Sequence, residues 1–160
     1  IMDQSIAHNL ELAALGVNGI DASDASIYQP FLDALELKCD SLEQTISELS
    51  GGNQQKVALT KWLALGPSCM LLADPTRGID VKTKTQIYAL LRKLADSGVA
   101  ILLLSTDYEE LIHLCDETHI FYDGRIVQHL SGADMTAENI IAASLNMHST
   151  STGTEGAHHA

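Results

Sequence analysis

The sequence predicts an α/β fold: a remnant of a parallel sheet, preceded by a small helical subdomain and followed by a C-terminal hairpin. Three observations carry this. Apolar runs at 69–72 and 99–104 have the length of short buried strands, and between them residues 80–97 place Ile87, Leu90, Leu91 and Leu94 on one helical face. Strand, helix, strand in that order is the parallel crossover pattern, in which the strand ends carry the chemistry. Asp123-Gly124 between two apolar runs is the strongest two-residue hairpin signal.

Residues 2–48 hold no alternating strand; helical spacing shows at Ile6, Leu10 and 12–14, then at Phe31, Leu32 and Leu35, with a polar stretch between. The segment 53–65 runs without a breaker until Gly66-Pro67, with Val57, Ala58, Leu63 and Leu65 suited to a packed helix. Gly98 is the expected C-cap of the 80–97 helix, and Asp107 is expected to cap a short helix reaching Leu114. The hairpin strands are 119–122 and 125–130, and 136–145 reads as a last amphipathic helix. From His148 onward the composition is Ser, Thr, Gly and His without apolar period, so 147–160 is expected to be a flexible tail. No internal repeat is present.

The chain has 160 residues, 46% hydrophobic and 19% charged, enough for one modest core. Nine Lys+Arg against 21 Asp+Glu leave a net charge of -12, which repels nucleic-acid phosphates and anionic lipid. Cys39, Cys69 and Cys115 are an odd number without a CxxC pair, suiting reduced core thiols of the cytosol better than a disulfide framework or zinc site. The longest apolar runs fall far short of the ~20 residues of a membrane span, and no basic-then-apolar leader opens the chain. Starting at Ile1 inside a helix-like phrase, the sequence reads as a fragment.

Two phrases concentrate the chemistry. Leu49-Ser50-Gly51-Gly52-Asn53-Gln54-Gln55-Lys56 is followed about twenty residues on by Leu71-Leu72-Ala73-Asp74-Pro75-Thr76-Arg77-Gly78-Ile79-Asp80. Two glycines before a helix let the backbone approach a ligand, and a helix start offers unpaired N–H groups and positive dipole character to an anion. Ser50 adds a hydroxyl. An isolated Ser-Gly-Gly would read better as a turn and helix cap; the two phrases in order argue for more.

Together they resemble the signature, Walker B and D-loop of an ATP-binding cassette, over about residues 6–130. The resemblance implies a partial P-loop NTPase-type α/β domain, with 1–48 a partial helical subdomain and 49–146 the C-terminal part of the ATPase core. It also implies that two cassettes sandwich two ATP molecules, so that Ser50, Gly51, Gly52 and Gln54 would contact a nucleotide held by the partner cassette, with Asp80 in the D-loop. The wording NQQK and PTRGID is similar to the second cassette of importers for ribose, xylose, galactose and related sugars. That implies an ATPase component using ATP and Mg²⁺, with a second cassette, a membrane permease and, indirectly, a sugar-binding protein as partners. Its place would be the cytoplasm, at the inner face of the membrane through the permease.

Three departures stand out. Ala73 occupies the magnesium-associated Asp position, where a methyl group can hold neither Mg²⁺ nor its water. Asp74 occupies the catalytic Glu position with a side chain one methylene shorter; orienting the following turn is an equal reading of it. Thr106 takes the switch-histidine slot, keeping a hydroxyl without the imidazole's charge. GxxxxGK[ST] and the glutamine loop do not occur in the 160 residues, so the chain alone is expected to be inactive. A non-catalytic scaffold or regulatory half, closing on a partner's ATP, is the alternative, and an unfolded remnant a third.

Other candidates are weaker. His113, His119, His129 and His148 with Asp116 and Glu117 fall on different elements without ligand spacing, so no metal site is expected. His158-His159 reads as tail, Trp62 as a packing residue, and Lys82 and Lys84 as solvated.

Overall fold

A computed structural model of the chain describes residues 1–15, 17 and 19–146. It divides into two compact units, Ile1–Thr106 and Asp107–Ala160.

The first unit opens with α1 (Ile6–Ala14), whose N-cap Ser5 accepts from the His8 N–H. Ile6, Leu10 and Ala14 recur every fourth residue, which puts them on one buried stripe. That stripe meets α2 (Gln29–Ala34) and α3 (Gly51–Leu63) in a core of Ile6, Leu10, Tyr28, Leu32, Ile46, Leu49 and Val57. Pro30 sits in the first turn of α2, where its missing N–H leaves no helix hydrogen bond unmade. Lys56 is buried; its Nζ donates to the Glu36 carbonyl at 3.2 Å, and burial pushes its pKa below the usual lysine range. Glu36 Oε2 in turn accepts from Gln86 Nε2 at 2.7 Å and lies 3.6 Å from Lys82 Nζ, an exposed pair of small net worth.

β1 (Cys69–Ala73) and β2 (Ala100–Leu104) are parallel neighbours, linked by α4 (Val81–Asp96). Asp80 caps α4 at its start; at its end Ser97 is the cap residue and Gly98 follows at φ +100, a conformation glycine adopts without steric cost. The crossover is as expected, but the burial of the strands is not. Cys69, Leu71, Ala73, Ala100, Leu102 and Leu104, alternating along both strands on one face, are all exposed, whereas Met70 on the other face is buried. A parallel pair is apolar on both faces because it is built to be covered on both, and within this unit only one is.

In the second unit Asp107 caps α5 (Tyr108–Leu114), as its position suggested. β3 (Glu117–Tyr122) and β4 (Arg125–Ser131) form the hairpin around Asp123 and Gly124, both at positive φ as a tight turn of this hand requires. The register is Tyr122↔Arg125 and Phe121↔Ile126, then jumps to Ile120↔Gln128 and His119↔His129. One residue, Val127, is therefore unmatched, a β-bulge. α6 (Ala137–Ser144), capped by Thr136, lies against α5 and both strands, with Leu111, Ile120, Leu130, Ile140 and Ala143 buried in this unit. The tail expected at 147–160 lies outside the described residues.

Two sequence expectations are corrected here. Trp62 is 53% exposed rather than packed, with Lys61 Nζ 5.4 Å from its ring. It falls off the stripe of α3 that carries Lys56, Thr60 and Leu63 inward. The cysteines are free, but Cys69 is exposed on the uncovered sheet face rather than in a core.

Candidate functional site

α3 begins at the glycine pair. Ser50, extended at φ -62 and ψ 154, caps it by accepting the Asn53 N–H at 3.4 Å, and Gln54 Nε2 donates to the Leu49 carbonyl at 2.9 Å. Ser50 and Gln54 thus brace the loop that leads into the helix. The glycines differ in what surrounds them. A Cβ on Gly51 would meet no atom within 4 Å, so its side of the helix start is open. A Cβ on Gly52 would stand 3.0 Å from Thr83 Oγ1, 3.3 Å from Thr83 Cγ2 and 3.4 Å from Asp80 Oδ2. Gly52 therefore lies where the start of α3 passes close to the start of α4, and a side chain there would press on Thr83 and Asp80.

Asp80 holds that second helix start. Its Oδ1 accepts the Thr83 N–H at 3.0 Å and its Oδ2 the Thr83 hydroxyl at 2.9 Å. These bonds, the backbone one foremost, keep its carboxyl below the usual range. The structure thus brings the signature-like residues 50–54 and Asp80 into one neighbourhood.

Asp74 and Thr106 form a second pair at the ends of β1 and β2. Asp74 Oδ1 accepts both the Thr106 N–H at 2.9 Å and the Thr106 hydroxyl at 3.2 Å, while the Asp74 N–H donates to the Leu104 carbonyl at 2.8 Å. Asp74 stands at φ +44, a left-handed conformation that Asp tolerates better than most side chains. Its carboxylate is consequently oriented by Thr106, and the Arg77 N–H closes the following turn on the Asp74 carbonyl at 3.2 Å. Ala73, beside it, is exposed and its methyl side chain offers no ligand atom. A cavity of about 450 Å³ opens beside Ser50, lined among others by Lys38, Asp40, Glu48 and Asn53. One cation against two carboxylates gives an anion no net side-chain attraction there. The N–H groups and dipole at the start of α3 are the features beside this cavity that favour an anion.

The histidines show no ligand spacing along the sequence. Glu117, His119 and His129 do converge, their ligand atoms all within 4.8 Å of one another. Neighbouring strands supply them, and the bulge sets the register that spacing in sequence did not reveal.

No family model matches the chain. It is 45% identical over 152 residues to the ribose import ATP-binding protein RbsA 1 of Rhizobium etli, covering 92% of this chain and 30% of that one. The D-allose import ATP-binding protein AlsA of Escherichia coli is 47% identical over 114 residues, 71% of this chain and 22% of that one. The chain spans about 30% of the length of the first of these curated relatives. Among solved structures, the dimeric post-hydrolysis state of the ATP-binding cassette MJ0796 bound to ADP and Pi gives a TM-score of 0.72 at 25% identity, covering 82% of this chain and 58% of that one. The cassette MJ1267 gives 0.74 at 15% identity, with 91% and 63% covered. The signature-like and D-loop-like phrases thus meet at two helix starts, and the chain has the α/β fold of a partial ATP-binding cassette, with sequence similarity to sugar import ATP-binding proteins.

Proposed function

We propose that the chain is the C-terminal part of the second cassette of a carbohydrate importer's ATP-binding subunit, and that its work is done on a nucleotide held by another cassette. The observation that carries this is the contrast within the glycine pair. Gly52 is closed in by Thr83 and Asp80, whereas Gly51, at the N-terminus of a 13-residue helix, is open to an incoming anion. An exposed helix start with an unobstructed backbone is the arrangement phosphate recognition needs. Ser50, Gly51, Gly52 and Gln54 shape that surface, and Asp80 fixes the neighbouring helix.

The residues present do not fit a magnesium site of the chain's own. The Ala73 side chain has no oxygen, and Asp74 Oδ1 already takes two hydrogen bonds from Thr106. In this proposal Asp74 and Thr106 act on each other first: Thr106 orients a carboxylate that would otherwise serve as base. Mg²⁺ and ATP belong to the assembled protein, whose partners would be a second cassette and a membrane permease, with a sugar-binding protein acting through the permease. Among the described residues no helix is long and apolar enough to cross a membrane, so attachment to the inner membrane face would run through the permease.

Calorimetry and a steady-state phosphate assay on the 160-residue chain test the isolated site. The expected result is MgATP binding too weak to resolve at millimolar nucleotide, and no hydrolysis, because neither a phosphate cradle nor a magnesium ligand is supplied. Tight magnesium-dependent binding by the chain alone would overturn the reading.

A further inference from the structure

We propose that Glu117, His119 and His129 form a binding site for one divalent transition-metal ion, Zn²⁺ by preference, on the exposed face of the β3–β4 hairpin. Two imidazoles and one carboxylate are the borderline donor set that selects zinc and its neighbours over Mg²⁺ or Ca²⁺.

The strand geometry builds the site. Glu117 and His119 are two apart on β3, so their side chains leave the same face, and His129 pairs directly opposite His119 on β4. This pairing depends on the bulge. An unbroken register from Tyr122↔Arg125 would set His119 against Gln128 and turn His129 to the other face; the unmatched Val127 moves His129 into place. The two rings stack with centroids 4.6 Å apart and planes 16° from parallel. Both point Nε2 at the same carboxylate: His129 Nε2 is 3.0 Å from Glu117 Oε2 and His119 Nε2 3.9 Å from Glu117 Oε1.

Three donors therefore converge on one small volume. Around a tetrahedral Zn²⁺ with ligands at about 2.0–2.2 Å, donor atoms stand roughly 3.3–3.6 Å apart. The present spread of up to 4.8 Å closes with shifts of about 1 Å. The side chains are 45–61% exposed and free of core packing, so such shifts cost little. A cation would replace the hydrogen bond between His129 Nε2 and Glu117 Oε2 and lie against the Glu117 carboxylate. Three protein ligands leave the fourth position to water. No other group of three or more such side chains among the described residues is close enough to hold an ion.

The test is Zn²⁺ titration of the full chain by calorimetry, in a background carrying His148→Ala, His158→Ala and His159→Ala so that tail imidazoles do not compete. Imidazole NMR is followed in parallel. One equivalent should bind, with His119 and His129 ring signals moving together. His119→Gln and His129→Gln should each weaken binding at least about tenfold, and Glu117→Gln by a smaller factor. Because all three positions are exposed, far-UV dichroism and the melting temperature should stay at parental values, which separates lost ligation from lost folding. Absence of one-to-one binding, or parental affinity in the His119→Gln/His129→Gln double variant, overturns the proposal.

Discussion

In a chimera in which this chain replaces the matching stretch of the Rhizobium etli ribose import ATP-binding protein, Gly51→Asp is expected to lower steady-state ATP turnover by about 10²–10³-fold. The figure follows from charge. A carboxylate about 4 Å from a phosphate oxygen, at an effective dielectric near 20, costs about 4 kcal/mol, and each 1.4 kcal/mol is roughly a factor of ten. The fold should survive, because a Cβ at Gly51 meets nothing within 4 Å. Gly52→Asp is a poorer probe: its Cβ would crowd Thr83 and set a second carboxylate beside Asp80, disturbing α4 whatever the nucleotide does. Binding of ATP should persist in the Gly51 variant, since the phosphate cradle lies outside these residues. Turnover and sugar uptake at the parental rate would reduce Ser50, Gly51 and Gly52 to an ordinary helix cap.

The second large effect runs upward. In the same chimera, Ala73→Asp combined with Asp74→Glu is expected to raise turnover by about tenfold or more, as an oxygen ligand and a longer base return together. Ala73 is exposed, so its replacement displaces nothing from a core. Asp74 is less accommodating. At φ +44 a glutamate is less at ease than an aspartate, and the longer side chain gives up the two Thr106 bonds to Oδ1. The double variant should therefore melt a few degrees lower while turning over faster, a combination that a general stabilisation could not produce. An unchanged rate would mark the site as silent for another reason, with Thr106 the next residue to change.

Much of this architecture could be read from the chain. Asp107 caps the short helix that its position announced, the helices expected from Asp80 and Thr136 form with those two residues as their caps, and Asp123-Gly124 makes the hairpin turn. Those features are local, and local chemistry decides them. What stayed hidden depends on pairing. Nothing near Gly52 in sequence says that Thr83 and Asp80 will press against it. Nothing between His119 and His129 says that one unmatched residue will bring them face to face. The partnership of Thr106 with Asp74 spans 32 residues and needed the parallel register of β1 and β2 to appear. Trp62 misled for the opposite reason: aromatic character predicts burial on average, but the stripe of α3 had no place for it.

The uncovered face of β1 and β2 gives the isolated chain a colloidal character of its own. Leu71, Leu102 and Leu104, at 75%, 66% and 66% exposure, put hydrocarbon in water beside strand edges that no third strand pairs among the described residues. Opposing this is the net charge of -12, which holds copies apart by mutual repulsion. The range of that repulsion is set by the solvent: about 10 Å at 0.1 M salt and about 3 Å at 1 M. Adding salt therefore shortens the repulsion while leaving the sticky face unchanged, so the chain should be a monomer in dilute buffer and salt out at ionic strengths that ordinary acidic domains tolerate.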